Sequence, residues 1–457
     1  MRLSELGSRR RGRSGYSGAV RAPVPSGRRL PDLRSFLGGL RTSDTGRAAG
    51  LGAAVIAANV LALIFTIIFA RMLGASGYGS LAVLLSAFII MMVPGSALQI
   101  AAAREISQDR AAGNPNVGAG VHQWLIKLAA GTLIVAAIAI PLRSLIGALI
   151  NVDELWAAAA VPVTAMLWMI LAVQRGVLQG FQRYQIVAFS IVGEACSRIA
   201  FALLLVGVGL DVTGAFLGSA LSLLAVACVL LVPLRRQLAG TTLDHESPAR
   251  LRDLLAGAWV PVIGLTLLLA LQEVHIIIVK HEASGDAAGS YAVAAVAAKA
   301  IIWIAVGLGM YLLPEAARRG KTGIDARPIL VRTVGLIAAA AVPMVLIYTF
   351  AGKPLLAAVF GDDLTQASDA LPWLGLAMTL LACAYLSVQY LLAMGRASFI
   401  WVLASCLALE TVLLIIIGAD LAAVALALFA VQVICASTTL LLSARQSGPS
   451  KGAPVTV

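Results

Sequence analysis

The chain has 457 residues, 60% of them hydrophobic and only 12% charged, with a mean hydropathy of +0.93. Soluble domains carry roughly 25% charged residues, so the composition excludes a soluble globular protein and identifies a polytopic, all-α integral membrane protein. The net charge of +12 requires no nucleic-acid partner, because the basic residues fall where membrane topology places them.

The first segment, residues 1–47, is rich in Arg, Ser, Gly and Pro and cannot bury a core, so it is expected to be a disordered, basic cytoplasmic tail. Its Arg9, Arg10, Arg11 and Arg13 look like the start of a twin-arginine signal, but no apolar stretch follows closely, and processing is not expected. The run reads as reinforcement of orientation, with attraction to anionic lipid as the alternative.

Apolar stretches of about twenty residues, the length needed to cross a bilayer as helix, then follow in order. They are Ala48 to Ala70, Tyr78 to Ala101, Val121 to Pro141, Leu155 to Val177, Ile186 to Val206 and Val212 to Leu234. A second set comprises Ala256 to Val279, Ala287 to Leu313, Ile329 to Phe350, Leu371 to Met394, Ala397 to Ile417 and Leu421 to Leu442. Continuous runs of this kind predict helices rather than the alternating strands of a membrane barrel. Of the 34 Lys and Arg residues, the outward connections of a twelve-helix chain with its tail inside hold only Arg71, Arg143, Lys280 and Lys353. Adding or removing one helix would move Arg235, Arg236, Arg250, Arg252, Arg318, Arg319, Lys321 and Arg327 outward, so charge supports twelve spans with both termini cytoplasmic. The expected organisation is a tail (1–47), a six-helix bundle (48–234), a cytoplasmic linker (235–255), a second six-helix bundle (256–442) and a short cytoplasmic tail (443–457).

Catalytic signatures are not found. The five cysteines lie inside predicted helices without paired spacing, and His122, His245, His275 and His281 form no ligand pattern. No cofactor and no metal site are expected, and the chain reads as a non-enzyme.

Ionisable residues at mid-membrane depth are expensive and generally functional, and several occur here. Lys299 lies about nine residues, or roughly 14 Å, inside its apolar run. Its alternative role is a structural ion pair with a helix carboxylate such as Glu273. Glu194 and Arg198, spaced i, i+4, share a helix face and are expected to pair directly. Glu273, beside Gln272 and His275, is the leading ion-coupling candidate, for H⁺ or Na⁺, with Glu194 as a second. Glu410 has no charged neighbour on its helix and reads as a packed, hydrogen-bonded or protonated residue. Lys127 lies near the inner face and is expected to snorkel its amine to the interface. Pro94-Gly95, Pro162, Pro261 and Pro343 interrupt helices and are read as static features.

The two halves repeat. Gly79, Ser80, Ala82 and Val83 recur 210 residues later as Gly289, Ser290, Ala292 and Val293, and Glu105 recurs as Glu315. Val173, Gln174 and Gly180 recur as Val388, Gln389 and Gly395, at an offset of 215. Six helices per half is an even number, so the halves run in the same direction. They are expected to be related by a pseudo-two-fold along the membrane normal.

The stretch Ala70-Arg71-Met72-Leu73-Gly74-Ala75-Ser76-Gly77-Tyr78-Gly79 resembles the A-R-x-L-G-x-x-x-[YF]-G signature of the polysaccharide-transporter, or Wzx-type, branch of the multidrug/oligosaccharidyl-lipid/polysaccharide exporter superfamily. Gln179-Gly180-Phe181-Gln182-Arg183 is similar to that family's Q-G-x-x-R stretch. The resemblance implies an inner-membrane flippase that carries a polyprenyl-diphosphate-linked oligosaccharide to the outer leaflet by alternating access. Implied partners are the lipid-linked substrate, membrane lipids and polysaccharide polymerases or glycosyltransferases. Fourteen-helix lipid II flippases share much of the first motif, whereas twelve spans are expected here. A diphosphate needs cationic donors in a water-filled path, and Lys299, Arg71, Arg198 and Lys127 are the candidates, Lys299 and Arg71 foremost. Cation-coupled export of amphipathic drugs and a scaffold for glycan-synthesis enzymes are the alternatives.

Overall fold

In a computed structural model, the described residues are 44–113, 117, 120–238, 259–321 and 325–445. The expected N-terminal tail up to residue 43, most of the 235–255 linker and the end of the C-terminal tail lie outside them. The helices are α1 Asp44–Met91, α2 Val93–Ala111, α3 Val121–Ala139, α4 Arg143–Ile150, α5 Leu155–Gly180, α6 Tyr184–Leu205 and α7 Asp211–Leu238. They continue as α8 Trp259–Glu282, α9 Gly285–Ala298, α10 Ala300–Lys321, α11 Arg327–Phe360, α12 Leu371–Ala393, α13 Phe399–Ile417 and α14 Leu421–Arg445.

Ten continuous helical stretches among the described residues are long and apolar enough to cross a membrane. Two of them, Gly50–Ala111 with 62 residues and Tyr184–Leu238 with 55, far exceed the roughly 30 Å of a hydrocarbon core at about 1.5 Å per residue. Each doubles back. The first turns at Gly74, whose φ of 68° and ψ of −176° suit glycine alone. Beyond the turn Tyr78 is buried against Thr66 of the preceding limb. The second turns through a π-helical segment at Val206–Leu210, where Gly209 (φ 89°) and Asp211 (φ 39°) reverse the chain so that α6 packs along α7. Twelve membrane passes result, in two six-helix bundles. The even count puts both ends of the described chain on one side, here called the terminal face; the other is the far face.

Each bundle is built on its fourth span. α5 packs on α2, α3 and α7, and α12 packs on α10, α11 and α14. Small residues permit close approach: a Cβ on Gly176 would meet the Gln99 carbonyl, and one on Gly180 would lie 2.6 Å from Ile106 Cβ. The second sequence motif is accordingly a helix end. Gln182 adopts a positive φ of 59°, its N–H donates to Gln179 O and that of Arg183 to Leu178 O. Gly395 and Arg396 repeat this cap on Leu392 O and Leu391 O. The structural equivalence is therefore Gln182 with Gly395, two residues out of register with the match of Gly180 to Gly395 seen in sequence.

The first repeat is structural in a stronger sense. Residues related by a two-fold meet only at its axis, and a Cβ on Gly79 would lie 3.1 Å from Gly289 N while one on Gly289 would collide with Ala75 O. The pseudo-axis passes here, and the two bundles touch backbone to backbone at the far face.

Both of the helices that flank the axis are broken part-way through the membrane. In the second span Met92 separates α1 from α2, and Pro94, lacking an N–H, sits in the first turn of α2. In the eighth span Lys299 separates α9 from α10. Pro162 lies within unbroken helix, and Pro343 lies in the helical part of α11 ahead of its kink at Ala351. Pro94 is therefore the proline of the expected set that coincides with a discontinuity. Substituting Gly289 by Leu drives a side chain into Ala75 backbone and should cost about 1–3 kcal/mol, read as a lower melting temperature in detergent. Gly307→Ala, into open space, should leave it unchanged or slightly raised.

Candidate functional site

A polar contact between the bundles gathers at the break in the eighth span. The Lys299 N–H still bonds to Ala295 O, and the Ile302 N–H reaches Lys299 O in a tighter turn. The Ala297 carbonyl receives the Tyr348 hydroxyl of α11 at 2.7 Å, so the discontinuity does not leave this backbone acceptor in hydrocarbon. Lys299 Nζ donates to Glu273 Oε2 at 2.8 Å, and Ser86 Oγ, from the second span, donates to the same oxygen at 2.7 Å. Gln272 Nε2 donates to Glu273 Oε1 at 2.9 Å. Three donors thus converge on one carboxylate. The side chains are 10% exposed for Lys299 and 1% for Glu273, so the pair is all but sealed. Lys299 thus takes the ion-pair arrangement named as its alternative. Because Ser86 belongs to the N-terminal bundle and Glu273 to the C-terminal one, the pair is part of their interface.

Behind Glu273, His275 points its Nε2 at the Gln272 carbonyl, 2.9 Å away. A carbonyl only accepts, so Nε2 carries a proton, and Nδ1 lies 3.0 Å from Tyr291 OH. The ring thereby ties α8 to α9. Glu410 is fully buried and accepts from Gln432 Nε2 at 3.1 Å, as the hydrogen-bonded reading expects.

In the N-terminal bundle the expected Glu194–Arg198 contact gives way to another. Glu194 Oε2 lies 3.6 Å from Arg175 Nη2. Arg175 is buried, donates to Ser190 Oγ and Ser190 O at 3.0 and 2.9 Å, and sits over Trp168. Arg198 stacks on Phe65, 4.6 Å from the ring centroid, with its Nε lacking a hydrogen-bond partner. An i, i+4 spacing permits contact but does not compel it when another helix presents a cation. Arg175 is the residue that sequence reasoning missed. The available signal was a lone Arg inside a Val-Gln-Arg-Gly-Val run of a buried span.

Lys127 is exposed on α3. Arg71 is exposed at the far face, where Nε and Nη2 donate to Val359 O and Ala358 O at 3.0 and 2.7 Å. The other first-motif positions now have reasons: Gly74 makes the turn, Tyr78 packs beneath it and Gly79 lies on the pseudo-axis. Among the described residues no group of three or more His, Cys, Asp or Glu could hold a metal ion, and all five cysteines are free thiols.

The sequence matches the model of the polysaccharide biosynthesis protein family over residues 48–318, and the chain belongs to that family. No curated protein matches it. Its fold is shared with solved transporters of the superfamily. An inward-facing multidrug resistance MATE family transporter aligns with TM-score 0.73 at 13% identity, covering 87% of this chain and 96% of that one. An outward-facing form gives 0.62 at 16% identity, covering 91% and 99%. The lipid II flippase MurJ, in an inward closed conformation, gives 0.62 at 13% identity, covering 86% and 87%. The protein is thus a multi-pass membrane protein of the polysaccharide biosynthesis family with the two-bundle fold of these transporters.

Removing one partner of a sealed ion pair strands the other charge. Lys299→Met alone should cost about 3–5 kcal/mol and lower the melting temperature in detergent. Adding Glu273→Gln should recover most of that loss.

Proposed function

We propose that the protein is a flippase that moves a polyprenyl-diphosphate-linked oligosaccharide from the inner to the outer leaflet of a bacterial cytoplasmic membrane, with both termini cytoplasmic. The observation that carries this reading is the Lys299–Glu273 pair, bridged by Ser86 across the bundle interface at mid-depth. A diphosphate entering between the bundles offers Lys299 a doubly charged partner in place of a single carboxylate. Glu273, released from its ammonium, then takes up a proton or Na⁺, which links substrate arrival to ion movement. Separation of the Ser86 bond in the same step frees the bundles to rock against each other.

Arg198, with an unpartnered Nε over Phe65, is a second station for phosphate, and Arg71 a third at the far face. Lys127, exposed on α3, is left with its interfacial role. The isoprenoid tail remains in lipid, and glycosyltransferases on one side and a polymerase on the other are the partners that such a substrate calls for.

The test is leaflet reversal of a labelled polyprenyl-diphosphate oligosaccharide in proteoliposomes, comparing wild type with the charge-neutral Lys299→Met/Glu273→Gln pair at matched reconstitution. The double variant should fold yet flip at least about tenfold more slowly, a loss of roughly 1.4 kcal/mol of transition-state stabilisation. Equal rates would remove the pair from the path. No reversal by active wild-type protein would turn the assignment toward cation-coupled drug export.

A further inference from the structure

The far face is tied by two clasps related by the pseudo-two-fold. In one, the Arg71 fork grips Val359 O and Ala358 O, at 3.0 and 2.7 Å. In the other, Asn151, in the left-handed conformation (φ 52°) at the end of α4, donates Nδ2 to Lys280 O at 2.7 Å. Each joins the far end of a bundle's first span, α1 or α8, to the short helix that follows the third span of the other bundle. That short helix is α4 in one case and the segment of α11 beyond its kink at Ala351 in the other. Between the clasps, Ser76 and Gly79 abut Gly285 and Gly289.

The Arg71 clasp has the form of an occupied anion site. Ala358 O and Val359 O belong to the last turn of α11, before Gly361, where carbonyls have no intrahelical donor and the helix end carries partial negative charge. Two adjacent oxygens accept two N–H groups of one guanidinium, as two oxygens of a phosphate would. Arg71 is nevertheless exposed, so an arriving anion can reach it. Asn151 presents a neutral amide to its carbonyl and has no comparable preference for an anion.

We propose, building on the diphosphate reading above, that Arg71 is a self-occupied diphosphate site: the α11 carbonyls stand in for phosphate oxygens while the far face is shut, and substrate diphosphate displaces them to unlatch it. The neutral carbonyls are the weaker ligand, so a charged headgroup wins the exchange. The Asn151 clasp then holds alone and yields as the bundles rock. Substrate and far-face opening are thereby coupled through one side chain.

The full-length protein carrying Ser76→Cys and Gly285→Cys reports closure. A Cβ on Gly285 would lie 3.2 Å from Ser76 Cβ, near the usual disulfide separation, and the cross-linked peptide pair can be quantified by mass spectrometry under mild oxidation. Adding Arg71→Gln or Asn151→Ala should each slow cross-linking about fivefold; unchanged rates in both would overturn the latch. Farnesyl diphosphate should slow cross-linking in the parent and have no further effect with Arg71→Gln. Slowing that persists in Arg71→Gln would overturn the exchange at this residue. Inorganic pyrophosphate serves as the soluble control: slowing by it alone would overturn the lipid-linked source and assign the site to a free anion. A parallel thermal-shift measurement with farnesyl diphosphate separates the two readings. Binding without slowing overturns the exchange and leaves the flippase assignment standing, whereas absence of binding removes both.

Discussion

A charge within hydrocarbon must be neutralised by a partner that the fold itself supplies, and the centre of this protein is arranged around that requirement. Lys299 interrupts the eighth span, and its ammonium would be untenable there without Glu273. Glu273 in turn takes two further donors, one of them Ser86 from the opposite bundle. The neutralising contact and the contact between the halves are therefore the same set of atoms.

The same rule applied to backbone groups explains the remaining architecture. Breaking or ending a helix exposes N–H and C=O groups, and at two such places a neighbouring side chain answers. Tyr348 covers Ala297 O, and Arg71 covers the end of α11. The N-terminal bundle follows suit with its own buried cation: Arg175 is satisfied by Ser190 and Glu194 rather than by solvent. Glycines then let the two halves approach at the pseudo-axis, where any side chain would hold them apart.

Much of this was legible in the residues. Hydropathy over windows of about twenty residues placed twelve spans, although helix continuity through Gly74 and Gly209 conceals two of the turns. The internal repeat paired Gly79 with Gly289 and called for a pseudo-two-fold, while the close approach of the two residues in the structure places the axis between them. The A-R-x-L-G stretch pointed to the family, and the structure supplied the places of Gly74, Tyr78 and Gly79 within it. Three features were out of reach: the short α4, too brief to register as a span; the Arg175–Glu194 contact; and the correct register of the fourth and tenth spans, which the shared helix cap revealed only once hydrogen bonds were visible.

The sequence by itself determined which stretches enter the membrane, which charges go with them and where the chain must be small or turn, since these depend on a residue and its neighbours along one helix. Tertiary structure alone decided which partner each charge takes: Glu273 for Lys299, Arg175 rather than Arg198 for Glu194, and the α11 carbonyls for Arg71. Those choices turn on the rotation and depth of one helix against another. Helix periodicity carries no record of either, because any cation at the right height on a facing span neutralises a carboxylate equally well.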